Sequence, residues 1–164
     1  MARKETKYIV IHCSLSKPSM KVDAKVIDQW HRARGWLQIG YARVIKRDGT
    51  IEQGRGDDEL QAHCEGYNHC STSVCLVGGL SEDNKNTDNF TAEQWDSLKK
   101  LLAELVLKYP EARIVGHYEL NEHKTCPNFN VRTYLLHEDI ENYKFQDALM
   151  DSADEQEAVK AGEL

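Results

Sequence analysis

The chain has 164 residues, 40% of them hydrophobic and 29% charged, with a formal net charge of -6. That length holds one domain with a real hydrophobic core and is short for two. The acidic balance excludes a protein whose main task is gripping nucleic acid phosphates, which needs a basic footprint.

The first residues, through Lys7, are rich in charge and lead straight into a short apolar run. No stretch is apolar and long enough for a signal peptide or a membrane span, so cytoplasmic synthesis without a membrane anchor is expected. Lys7 to His12 reads as a buried strand, because Tyr8, Ile9, Val10 and Ile11 are β-formers in a short run. Asp23 to Arg34 has helical spacing, with Val26, Ile27 and Trp30 on one side and Gly35 as the stop. Tyr41 to Ile45 is strand-like, and Asp48-Gly49 turns the chain into a second short strand at Ile51.

Ser73 to Gly79 reads as a further buried strand. Thr91 and Gln94 form a capping-box signature for a long helix with Trp95, Leu98, Leu102, Leu105 and Val106 on its core face, and Pro110 lies just past its end. Arg113 to His117 is a last strand, and Val131 opens a final helix. From Phe145 the chain becomes acidic and loses periodicity, which predicts a flexible tail over 145–164 after a domain over 1–144. Helices interleaved with strands and one hairpin predict an α/β fold: a single domain with a central mixed β-sheet flanked by helices.

Five cysteines form an odd set without the regular spacing of a disulfide scaffold, so buried thiols or metal ligands are expected. Cys13, Cys64 and Cys70 each follow a histidine. Strand neighbours point to opposite faces, so each such pair is a poor two-ligand unit and is read as packing. Cys75 lies within a buried strand and is read as core.

His12 and His117 each end a predicted strand, and Cys126 follows nine residues after His117, next to Pro127. Strand ends opening into loops are where α/β folds build sites. Two imidazoles and a thiolate suit zinc and leave a fourth position for water. Yet a histidine at a strand end is more often a hydrogen-bonded structural residue, and spacing alone leaves both readings open.

Five segments in order carry a resemblance: Gly35 to Tyr41, Ile45 to Thr50, Gly66 to His69, Val74 to Gly79 and Lys124 to Pro127. Together they resemble the phage-type N-acetylmuramoyl-L-alanine amidases, zinc enzymes grouped with the peptidoglycan recognition proteins. The likeness runs from about Lys7 to Tyr143. It implies one Zn²⁺ on His12, His117 and Cys126, with Tyr41 and Lys124 as catalytic groups. It also implies peptidoglycan as substrate, cleaved at the amide between N-acetylmuramic acid and L-alanine.

The Gly66–His69 loop is expected to wall the groove, with His63, Asn68 and His69 as substrate contacts. Two departures stand out. The strand tyrosine is followed by Ala42 and Arg43, and the gap between His117 and Cys126 is one residue longer than the family pattern. In a strand of period two Arg43 shares the face of Tyr41, which makes it a further groove candidate. The extra residue falls in a loop, where it costs little.

The resemblance implies a monomeric phage endolysin, made in the host cytoplasm and reaching the wall through a holin-type lesion. Two alternatives belong to other classes. One is a non-catalytic peptidoglycan-binding module, although such members commonly lack the ligand cysteine that is present here. The other is a dual role in which the chain also binds and inhibits a phage RNA polymerase, as some phage relatives do.

Overall fold

The computed structural model describes residues 1–143; the predicted tail lies outside the described residues. Five strands, β1 (Tyr8–Cys13), β2 (Arg43–Ile45), β3 (Ile51–Gln53), β4 (Ser71–Leu76) and β5 (Arg113–Gly116), form one sheet in the order β3-β2-β4-β1-β5. β1 pairs in parallel with β4 and β5, β2 in parallel with β4, and β3 antiparallel with β2. The mixed sheet expected from the alternation of elements is therefore present, with the hairpin at its edge.

The helices are α1 (Ala24–Ala33), α2 (Ala92–Lys108), α3 (His117–Leu120) and α4 (Val131–His137). Asp23 caps α1 by accepting the Val26 N–H at 2.9 Å. Thr91 and Gln94 close the capping box of α2, at 3.1 Å and 3.0 Å. Gln94 reaches further, donating to the carbonyls of Ile45 and Val77 at 3.0 Å and 2.8 Å, so the box also clamps the helix to the sheet.

Alternation along the strands splits the core in two. Ile9, Ile11, Val74, Leu76 and Ile45 face α2, where Leu98, Leu102 and Leu105 meet them. Burial of each leucine is worth about 1.5–3 kcal/mol, so this face anchors the domain. Val44, Cys75 and Val77 cluster with Ile27 of α1. The sheet face opposite α2 is polar at one end. There Ser71 and Ser73 on β4 and His12 on β1 are buried.

The boundaries differ from the sequence expectation in two places that matter. β2 begins at Arg43, and Tyr41 precedes it in an irregular stretch with a bend at Ala42. His117 does not end a strand: it opens α3, because the Gly116 N–H donates to Glu119 Oε2 at 2.6 Å and turns the chain into a helix.

Candidate metal centre and groove

His12 lies near the C-terminal end of β1, 1% exposed. In the parallel pairing of β1 with β5, Ile11 stands opposite Gly116. The residues that follow, His12 on β1 and His117 at the start of α3, therefore lie side by side, with their ring centroids 4.5 Å apart. The chain then loops back. The Tyr118 N–H donates to the Cys126 carbonyl at 3.1 Å, which closes the loop, and the Cys13 N–H donates to Cys126 Sγ at 2.9 Å. Gly79, at φ +93°, makes room on that side, since a Cβ there would sit 2.6 Å from Cys13 Sγ.

One donor atom from each of His12, His117 and Cys126 lies within 4.8 Å of the others. Tetrahedral zinc, with Zn–N near 2.0 Å and Zn–S near 2.3 Å, needs its donors about 3.3–3.6 Å apart. The observed spacing approaches that range, and two imidazoles with one thiol are a donor set that zinc accepts. The residues fit the ion.

Protonation favours ligation. Burial, with the His63, His117 and Lys124 charges adding to it, holds the His12 pKa well below the usual imidazole value. Burial and the Lys124 cation bring His117 to about 4, and burial takes His63 to about 3. All three rings are neutral near pH 7, as a ligand must be. Burial and the adjacent Cys13 thiol push the Cys126 thiol up. A divalent cation reverses that, because its charge stabilises the thiolate. Burial also raises Tyr41, so its phenol is a hydrogen-bond donor and not a base.

A cavity of about 470 Å³ opens at this centre, with Tyr41, His63, His117 and Lys124 in its wall. His12 sits behind them, its ring centroid 5.0 Å from Tyr41 and 4.9 Å from His63. The structure thus brings together His12, His117, Cys126, Tyr41 and Lys124, residues scattered across more than one hundred positions of the chain.

The profile of the N-acetylmuramoyl-L-alanine amidases matches residues 2–129. The chain belongs to this family. The amidase is 45% identical over 132 residues to an endolysin of Escherichia phage T7, covering 80% of this chain and 87% of that one. It is 31% identical over 136 residues to peptidoglycan-recognition protein SC2 of Drosophila melanogaster, covering 76% of this chain and 69% of the relative. Among solved structures, the N-acetylmuramoyl-L-alanine amidase LysC of Clostridium intestinale URNW superposes with a TM-score of 0.68 at 28% identity, covering 79% of this chain and 82% of LysC.

The groove of the amidase differs in detail from expectation. Arg43 does not line it. Its guanidinium donates two hydrogen bonds to Asp57, at 2.8 Å and 2.7 Å, and neither residue is in the cavity wall. The reason is the bend at Ala42, which breaks the alternation that would have put Arg43 on the face of Tyr41. His69 is exposed in a one-turn 3₁₀ helix and also lies outside the cavity wall.

Asn68 is in the wall, but its Oδ1 accepts the N–H groups of His63 and Cys64 at 2.9 Å and 3.0 Å, so it shapes the loop. His63 is in the wall and hydrogen-bonds His12 at 2.8 Å. The wall also carries His31, Arg34 and Trp36, which are not among the residues expected from the sequence. Their signal was present: the last turn of α1 leads directly into the Gly35–Tyr41 motif. Among the described residues no helix is long and apolar enough to cross a membrane.

Proposed function

We propose that the amidase is a zinc enzyme that hydrolyses the amide between N-acetylmuramic acid and L-alanine in peptidoglycan, acting as a phage endolysin that lyses its host. The convergence of His12, His117 and Cys126 beside an open cavity carries this reading. A zinc ion held there supplies Lewis acidity at neutral pH, which activates water and polarises a carbonyl.

The rest of the chemistry falls to side chains. An amide carbonyl develops negative charge on its oxygen as water adds. The Lys124 ammonium, on the cavity wall, offsets that charge. Tyr41, held protonated by burial, donates a hydrogen bond to the same oxygen or to the attacking water. Cys126 is a ligand, and no acyl-enzyme forms on it. Burial keeps the three imidazoles neutral.

Release through a holin-type lesion completes the biological reading, since lysis requires the amidase to reach the wall from the host cytoplasm. Digestion of purified sacculi followed by mass spectrometry tests the bond. Free L-alanine amino termini on intact glycan strands are expected; new reducing sugars would identify a glycosidase instead.

A further inference from the structure

Resting on the zinc reading, we infer that His63 is a positioning residue: a one-way hydrogen-bond chain from the Tyr67 carbonyl through Ser71 and His63 fixes the tautomer of His12 and leaves His12 Nδ1 to bind the metal.

The direction follows from counting hydrogens. Ser71 Oγ lies 2.7 Å from the Tyr67 carbonyl oxygen. Two oxygens that close repel unless a hydrogen lies between them, and a carbonyl has none, so the hydroxyl donates. Its single hydrogen is then engaged, and Ser71 Oγ meets His63 Nε2, 3.0 Å away, only as an acceptor. His63 Nε2 therefore carries the ring hydrogen, and Nδ1 of that neutral ring is a bare lone pair. This lone pair faces His12 Nε2 at 2.8 Å, so His12 Nε2 carries its hydrogen too. The remaining lone pair of His12 is on Nδ1.

Burial supports the neutral rings this count requires, since His12 and His63 are 1% and 9% exposed and stand beside a third imidazole. The opposite direction fails chemically. It would leave two oxygens facing with no hydrogen between them, and it would protonate His12 Nδ1, the nitrogen pointing away from His63. Neither nitrogen of His12 would then be free for a metal.

The fold supplies the fixed end of the chain. Ser71 is the first residue of β4, paired with Tyr8 of β1, and Tyr67 precedes the 3₁₀ turn that delivers it. A backbone carbonyl cannot change its role as acceptor, so the order of donors propagates inward to the metal ligand. Partners of this kind hold a ligand's tautomer and ring orientation and raise its basicity.

The test uses the full chain with ¹⁵N-labelled histidine, metal-free and zinc-loaded, in long-range ¹H–¹⁵N correlation spectra. Metal-free protein is expected to show both His12 and His63 as Nε2–H tautomers, with zinc then shifting His12 Nδ1. Ser71→Ala removes the hydroxyl that links His63 to the Tyr67 carbonyl and should mix the His63 tautomers and weaken zinc binding about 10–100-fold at an unchanged circular dichroism spectrum. An Nδ1–H tautomer at His12, zinc on His12 Nε2, or unchanged tautomers and zinc affinity in Ser71→Ala would overturn the inference. Should Ser71→Ala fail to fold, the wild-type tautomers decide alone. Because they are read without metal, a chain that binds no zinc defeats the proposed function while this question is still answered.

Discussion

The backbone N–H of Cys13 donates to the sulfur of Cys126 at 2.9 Å, tying strand β1 to the loop that follows α3. The donor belongs to the main chain, so two neighbouring cysteines have different roles. Cys13→Ala keeps this bond. It should retain bound metal and hydrolytic activity and cost only roughly 1 kcal/mol in urea denaturation. Loss of metal in Cys13→Ala would show that its thiol, and not its backbone, supports the centre.

Lys124 is exposed on the cavity wall, where its charge depresses His117. Lys124→Ala should keep zinc and lower kcat by about 10²-fold or more, the usual cost of removing an oxyanion donor. Steady-state kinetics on a defined muropeptide checks this, with metal content measured on the same sample. A normal kcat would remove Lys124 from the mechanism.

Arg43 and Asp57 are a largely buried pair, with side chains 17% and 8% exposed. Arg43→Ala strips Asp57 of its main partner, although Gln53 at 3.1 Å and Lys108 at 3.6 Å remain near it. The loss of stability should be roughly 1–3 kcal/mol, less than for a fully buried pair with no other contacts. Activity on muropeptides should stay within about twofold, since a group outside the groove contributes nothing to transition-state binding. A large rise in KM would return Arg43 to the substrate.

His31 accepts the Gly40 N–H through Nδ1 at 2.8 Å, which only a neutral ring can do. Burial, with Arg34 and Arg55 nearby, lowers its pKa from 6.5 to about 4. A folded-state pKa below the unfolded one means that the unfolded chain takes up the proton first as pH falls. The stability from this group is fully present above pH 6.5 and declines toward pH 4. Between pH 7 and 5 it should contribute a loss of roughly 1–2 kcal/mol. Urea denaturation of His31→Gln should therefore show a shallower fall over that interval, whatever its absolute stability. An identical slope would mean that His31 is charged in the folded protein.

Much of the site was legible in the sequence because its residues sit where regular elements end. The β-forming run before His12 and the run before His117 mark two strand ends, and the resemblance joins them to Cys126, Tyr41 and Lys124. That β1 and β5 are neighbours, which sets the two rings side by side, is a fact of topology that no local pattern carries. Arg43 leaves the face of Tyr41 because alternation holds only while the ladder continues, and the bend at Ala42 interrupts it. The Gly116-to-Glu119 spacing did carry a helix-start signal, but the apolar run before it read more strongly as strand. Ser71 was invisible: its part depends on a 3₁₀ turn that presents the Tyr67 carbonyl, and a serine at the edge of a strand has no signature of its own.

Metal content measured together with activity bears most directly on the centre built by His12, His117 and Cys126. Purified wild-type chain should carry one zinc by elemental analysis, lose activity when stripped by a chelator, and regain it on addition of zinc. Cys126→Ser, folded by circular dichroism, should carry none and stay inactive under the same zinc addition. Full activity in the stripped wild type, or a stoichiometric and active zinc in Cys126→Ser, would contradict the account.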